Sequence, residues 1–315
     1  LEGGRSGWGA SGRNGGSCAP GYAVGYDRIA QMAGPETARD PLGLSQDGVD
    51  YVADNLAAFG KPVDPRRRGH ISARRVPAHA DLERYRDKMA AHGLEMRVQG
   101  VEETRALLKS QFYFESIVEP TTFAMQPLDY ALAMAQEIER LGGKVFEHAP
   151  ALSTGRFGAS HLVATPRGKV SAHHLVICTG GYTGRLAPAL RRAMLPIATY
   201  AMASEANEAL LDSAIATPMC ISGDRRAGDY YRRTTDGRLI WGGRITARTR
   251  DPADLAALLR KDMIEVYPQL AALRIDSAWS GLMAYARHYM PQVGKLDEGL
   301  WYCTAFGGHG LNTTA

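Results

Sequence analysis

The residues in this 315-residue chain that could do chemistry gather at three glycine-rich places and a handful of aromatics. The first sixteen residues hold seven glycines, running from Leu1-Glu2 through Gly7-Trp8-Gly9-Ala10-Ser11-Gly12-Arg13-Asn14-Gly15-Gly16. Such a run lets backbone approach a ligand and leaves N–H groups free for phosphate or carbonyl oxygens, with no side chain needed. In a dinucleotide-binding βαβ unit an acidic residue ends the second strand and bonds ribose hydroxyls, about 20 residues after G-x-G-x-x-G. Glu2 could be that acid, and the missing fingerprint then places roughly 30 residues of strand, loop and helix upstream. Taken alone, Glu2 could equally be a surface residue and the glycine run a flexible linker. The other glycine turns are Thr179-Gly180-Gly181, after the apolar run Leu175-Val176-Ile177-Cys178, and Gly307-Gly308-His309-Gly310, after Leu300 to Phe306. Tyr230, Tyr231, Trp279 and Tyr285 are aromatic site candidates, although a tyrosine or tryptophan on a strand is more often core.

The elements that must hold these residues follow from periodicity. Val49, Val52, Leu56 and Phe59, then Leu82, Tyr85 and Met89, recur at helical spacing, predicting helices over 47–59 and 81–92 joined by a Pro- and Arg-rich linker. Gln126-Pro127 opens a helix with Leu128, Ala131, Leu132, Ala135, Ile138 and Leu141 on one face and Gly142-Gly143 as its stop. Short β runs at 144–148, 161–165 and 169–172 predict a three-stranded meander, and 175–178 a strand buried on both faces before a Gly turn and a helix. Thr235-Asp236-Gly237 marks a hairpin between 229–234 and 238–242, and Asp251-Pro252 caps a long helix carrying Leu255, Leu258, Leu259, Met263, Val266, Tyr267 and Leu270. Together these give an α/β chain of two domains.

Composition narrows the function classes. With 45% hydrophobic and 22% charged residues the chain is globular, and a net charge of +4 from 37 basic and 33 acidic side chains gives no support to nucleic-acid binding. The Arg66-Arg67-Arg68 and Arg74-Arg75 cluster carries no interleaved aromatics and is read as a solvated loop. No apolar run reaches membrane-spanning length. Four cysteines (Cys18, Cys178, Cys220, Cys303), far apart in sequence, suggest neither a zinc site nor a disulfide framework, and a cytoplasmic location fits.

The opening segment from Glu2 to Gly16 resembles the second FAD-binding segment of the D-amino acid oxidase (DAO) superfamily, especially its gamma-glutamylputrescine oxidoreductase-like branch. The likeness continues through Gln126-Pro127-Leu128, Cys178-Thr179-Gly180-Gly181, Asp236-Gly237-Arg238-Leu239 with Gly242-Gly243, and Phe306-Gly307-Gly308-His309-Gly310, and so spans the chain. It implies a discontinuous, Rossmann-like FAD-binding domain (1–35, 125–185 and 298–315) and a mixed β-sheet substrate domain (36–124 and 186–297). It also implies FAD contacts from Glu2, Ser11, Gly12, Arg13, Asn14, Gly15, Gly16, Thr179, Gly180, Gly181, Gly308, His309, Gly310, Leu311 and Asn312. N–H groups of a helix starting near Leu311 would then face the flavin pyrimidine edge, where the reduced flavin carries negative charge.

Departures from the family pattern shape the expected activity. Amino-acid-oxidising members clamp the substrate carboxylate with an arginine eleven residues before the Gly of Pro-x-Ile-Gly. Here Pro291-Gln292-Val293-Gly294 puts Met283, within Gly281-Leu282-Met283-Ala284, at that position. A thioether offers no bidentate cation, so an amine or polyamine derivative is expected rather than a free α-amino acid, unless Arg287 turns inward. The family's cysteine and histidine attachment points are absent, so FAD is expected to be non-covalent. Ile240 stands near the position of an oxygen-activating lysine, leaving oxygen or another acceptor open. Tyr230, Tyr285 and Arg287 are the residues expected at the reacting centre, where an amine C–H passes a hydride to flavin N5 and the imine hydrolyses. The alternatives are D-amino acid or glycine oxidation, a nicotinamide-dependent dehydrogenase, for which no second fingerprint exists, and a non-catalytic fragment unable to hold FAD.

Overall fold

In a computed structural model, which describes all residues except 35, 38, 226 and 249 and all side chains but theirs and those of 39 and 65, one large sheet and two small ones carry the helices. The first part of the chain forms α1 (Ala10–Arg13), β1 (Ser17–Cys18), α2 (Tyr26–Ala33), α3 (Arg39–Ala58), β2 (Arg68–Ala73), α4 (His79–Ala90), β3 (Arg97–Gln99), α5 (Val101–Leu108) and β4 (Ser116–Ala124). Next come α6 (Pro127–Arg140), β5 (Ser153–Phe157), β6 (Ser160–Thr165), β7 (Gly168–Ala172), β8 (Leu175–Ile177), α7 (Pro188–Ala193) and β9 (Met194–Ser204). The last part forms α8 (Glu208–Asp212), β10 (Cys220–Gly223), β11 (Tyr230–Arg233), β12 (Leu239–Thr246), α9 (Leu255–Val266), β13 (Ile275–Ala286), β14 (Gln292–Asp297), β15 (Leu300–Thr304) and α10 (Gly310–Thr313). The large sheet runs β1-β4-β2-β10-β11-β12-β9-β13 with β3 on β4, and only its β2–β10 pair is parallel among the described residues. The small sheets are β14-β15-β8 and β5-β6-β7. The expected mixed α/β fold is present.

The largest core lies between the big sheet and α9. Leu255, Leu259, Met263 and Val266 share one buried face of α9 and pack with Tyr200, Met202, Tyr231 and Trp241 from the sheet. Full burial of such side chains stabilises by about 1.5–3 kcal/mol each. Tyr231 stacks on Trp241 at 4.3 Å, and its hydroxyl meets those of Tyr267 at 2.9 Å and Tyr113 at 3.2 Å, which satisfies three phenols that burial would otherwise penalise. A second cluster joins β8, α7 and the end of β13, and a third joins α3 to β1 and β4. Among the described residues no helix is long and apolar enough to cross a membrane.

Several local expectations are corrected. Residues 144–148 form no strand: Phe146 and His148 bond singly to Glu2 and Gly4, and His148 takes φ 51°, which breaks an extended ladder. The meander is completed instead by β5. The run at 175–178 is not buried on both faces, since β8 is a sheet edge and Val176 is 55% exposed. After Thr179 comes only a 3-10 turn, with α7 starting at Pro188. The last long helix is capped by Asp254, not Asp251-Pro252, because the Asp254 carboxylate accepts the Ala257 N–H at 3.1 Å. The arginine-rich linker contains β2, which sits between β4 and β10 with Gly69, Ile71 and Ala73 buried, while Arg66 and Arg68 are exposed.

Candidate functional site

The three glycine turns converge on β13. From α1, Arg13 Nη1 donates to the Ser280 carbonyl at 3.2 Å, and Trp279 Nε1 donates to the Arg13 carbonyl at 2.8 Å. The turn after β8 docks beside it, with Gly181 against Leu282 and the Leu282 N–H donating to the Tyr182 hydroxyl at 3.1 Å. The turn after β15 closes the group: the Gly307 N–H donates to the Ala284 carbonyl at 3.0 Å, and Phe306 bridges Tyr285. Segments remote in sequence thus share residues 279–285 of one strand.

Much of the glycine content serves the protein's own packing. A Cβ on Gly15 would sit 2.7 Å from the Tyr230 ring, and one on Gly181 would sit 2.9 Å from Leu282 Cβ. At Gly16, φ is +72° and a Cβ would collide with the Met125 carbonyl. Gly180 differs: its φ of +50° also demands glycine, yet the space beside it is open. Asn14 spends its side chain on its own turn, donating to the Ala10 and Ser11 carbonyls and accepting the Gly16 N–H. Ser11 is exposed and Gly12 half-buried on the same turn.

One wall carries the candidate substrate residues. The Tyr230 ring is wedged between Gly15 and Gly242, and its hydroxyl reaches the Tyr200 carbonyl only at 3.5 Å. Met283 and Tyr285 share a face of β13 beside Gly308, whose Cβ position lies 3.0 Å from Met283 Sδ and 3.6 Å from Tyr285 Oη. Tyr285 meets Tyr289 edge-on at 5.7 Å. Burial pushes both the Tyr230 and Tyr285 phenols up, so each is a neutral donor at physiological pH. His309 caps α10 with its backbone N–H bonded to the Phe306 carbonyl; burial, and secondarily the charge of His70, push its imidazole down to about 4. It is therefore uncharged near neutrality.

Other expected residues lie differently. Glu2 accepts the Gly4 N–H at 2.8 Å and pairs through its backbone with Phe146 and Ala149. Leu311 and Asn312 turn toward the α3 side: Leu311 packs on the third cluster, and buried Asn312 donates to the Gly21 carbonyl at 3.0 Å. Arg287 is exposed just beyond the end of β13. Two residues that support the site were not singled out from sequence, Tyr182 and Arg232. Buried Arg232 donates to the Gly15 carbonyl at 2.6 Å and the Met125 carbonyl at 2.8 Å, clamping the glycine turn. The available signal was strand alternation, which turns one of the adjacent Arg232 and Arg233 inward.

The family model DAO, FAD dependent oxidoreductase, matches residues 1–315. The chain belongs to the DAO family. It is 29% identical over 317 residues to gamma-glutamylputrescine oxidoreductase of Escherichia coli (strain K12), covering all of this chain and 74% of that protein. It is 24% identical over 180 residues to glycine oxidase of Bacillus subtilis (strain 168), covering 55% of this chain and 46% of that protein. The crystal structure of glycine oxidase from Geobacillus kaustophilus matches with TM-score 0.80 at 18% identity over 99% of this chain and 83% of that one, a likeness of fold. This DAO-family protein is an FAD-dependent oxidoreductase acting on C–N bonds of amines or amino acids. Its residues fit the cofactor. Backbone-rich turns meet on one strand, the space at Gly180 is open, and α1 brings the cation Arg13 to that strand, features suited to a polar, anionic dinucleotide.

Proposed function

We propose that this DAO-family protein oxidises an amine or polyamine derivative, with FAD held non-covalently and a small-molecule electron acceptor, oxygen or another, completing the cycle. One observation carries the reading: the β13 wall beside Gly308 presents a thioether and a neutral phenol, Met283 and Tyr285, where a carboxylate clamp would need a cation. Arg13 and Arg232, which hold the first glycine turn, are committed, Arg13 to Ser280 and the Trp8 ring, Arg232 to two carbonyls. The name of the Escherichia coli relative, gamma-glutamylputrescine oxidoreductase, points the same way.

In this reading residues 1–35, 125–185 and 298–315 form the cofactor-binding part, and 36–124 and 186–297 the substrate part. Ser11 to Gly16, Thr179 to Gly181 and Gly308 to Gly310 cradle the cofactor, with Glu2, Leu311 and Asn312 supporting it. When bound, FAD supplies the hydride acceptor for the amine C–H, and the resulting imine hydrolyses in water. Tyr230, fixed by Gly15 and Gly242, orients the substrate as a neutral donor. Tyr285 and Met283 shape an uncharged wall that accepts an amine without demanding a carboxylate. His309, neutral at physiological pH, leaves the stabilising of negative charge to backbone N–H groups. Arg287 stays solvated unless a carboxylate-bearing substrate draws it in.

The test is an absorption spectrum of the purified chain with added FAD, followed by anaerobic addition of gamma-glutamylputrescine, putrescine, glycine and D-alanine. Bleaching of the bound flavin by the amines ahead of the amino acids is the expected result. Robust bleaching by D-alanine or glycine with none by amines would transfer the protein to the amino-acid-oxidising reading.

A further inference from the structure

The four cysteines, remote in sequence, are free thiols that fall into two neighbouring pairs in the fold. Cys18 and Cys220 are buried in the main sheet, whereas Cys178 is exposed and Cys303 half-exposed. The second pair has a defined geometry. β8 and β15 are parallel neighbours in the register Leu175↔Leu300, Val176↔Trp301 and Ile177↔Tyr302, so the next position along sets Cys178 beside Cys303. Side chains at matched positions of parallel strands leave the same face, and here the face is open: Val176, two residues before Cys178, is 55% exposed, and Trp301, two before Cys303, is 40% exposed. Neighbouring strands stand about 4.8 Å apart, inside the Cα separation of roughly 4.4–6.8 Å that a disulfide spans.

We propose that Cys178 and Cys303 are a reversible disulfide-forming pair that ties the end of β8 to the end of β15, the two strands whose following turns meet on β13. The oxidant is a low-molecular-weight disulfide. One cysteine thiolate attacks a sulfur of that disulfide and releases one small thiolate; the other then attacks the mixed disulfide and releases the second. Two protein thiols and one small disulfide become one protein disulfide and two small thiols, with two electrons passing from protein to the small molecule. Partial burial pushes both thiols up, Cys178 also through its neighbour Cys303, so the exchange quickens as the pH rises toward the thiol range.

The experiment needs no flavin and so stands apart from the reading of the active site. The folded chain is incubated with oxidised glutathione at pH 7 and pH 9, its remaining thiols are alkylated, and its peptides are mapped without reduction. The expected result is an intramolecular link between the Cys178 and Cys303 peptides, faster at pH 9, reversed by dithiothreitol, with Cys18 and Cys220 alkylated only after unfolding. In Cys178→Ser and Cys303→Ser, each checked for native circular dichroism, the link should vanish and the remaining cysteine should carry glutathione. Stable glutathione adducts on Cys178 in the unsubstituted chain with no link to Cys303, links only between chains, or a Cys18–Cys220 link instead would overturn the proposal.

Discussion

Met283 occupies the place where the family resemblance sets a carboxylate-binding arginine, and its sulfur lies against the turn that carries His309. Met283→Arg should install a charge-assisted pair with a substrate carboxylate, an interaction of about 1.5–3 kcal/mol. The ratio of kcat/KM for an α-amino acid to that for an amine should then rise roughly 10- to 100-fold; an unchanged ratio in steady-state assays would show that this position does not read the carboxylate. His309 makes a second prediction. Its folded pKa of about 4 lies below the ordinary 6.5, so as pH falls the unfolded chain takes up the proton first. Stability is full above pH 6.5, declines from there to about 4, and then levels off. Urea unfolding at pH 7.5 and 4.5 should show a smaller acid loss in His309→Gln, by at most about 3 kcal/mol. The position of His309 was legible from the Gly-Gly-His-Gly motif. Its neutrality was not, because that depends on what the fold packs around the ring.

At the scale of elements, the glycine turns were legible as turns, but the reason for each glycine was not. Gly16→Ala forces a side chain into a left-handed conformation against the Met125 carbonyl and should cost about 2–4 kcal/mol. Gly155→Ala in β5 meets open space at an ordinary φ and should stay within about 0.5 kcal/mol; similar melting losses in the two variants would refute the packing account. The last long helix offers a companion measurement. Asp254→Ala removes the side chain that caps α9 and should lower stability by about 1 kcal/mol, while Asp251→Ala should leave it nearly unchanged. Sequence placed the cap at Asp251-Pro252 because an Asp-Pro pair is the stronger local signal. The structure uses Asp254 because a start at Leu255 buries Leu255, Leu259, Met263 and Val266 together.

Across the whole molecule, a charged cluster joins the loop before β11 to β12 and α9. Buried Asp262 accepts two hydrogen bonds from Arg244 at 2.6 and 2.8 Å and lies 3.4 Å from Arg225, which also pairs with Asp229 at 2.6 Å. Burial works against the charge of Asp262, yet the two arginines outweigh it and hold the carboxyl below its usual range. Asp262→Ala should therefore cost about 3 kcal/mol, seen as a lower urea midpoint at constant slope. Asp236→Ala breaks an exposed pair with Arg238 and a hydrogen bond accepted from Thr234 Oγ1 at 2.5 Å, both in a solvent-exposed turn, and should cost only about 1 kcal/mol. The sequence by itself determined the features set by neighbours within a turn or two: the helices around 47–59 and 127–140, though Leu128, Leu132, Ile138 and Leu141 of the latter's apolar face are exposed, the Asp236-Gly237 hairpin, the glycine turns and the motif order that marks the DAO family. Only the tertiary structure decided that three turns dock on β13, that β2 lies inside the sheet, that β8 shows one face to solvent, and that Cys178 neighbours Cys303. Local signals arise from interactions a few residues apart, which periodicity records. Strand neighbours, burial and the charge state of a buried group arise from long-range packing, which leaves no fixed spacing in the chain.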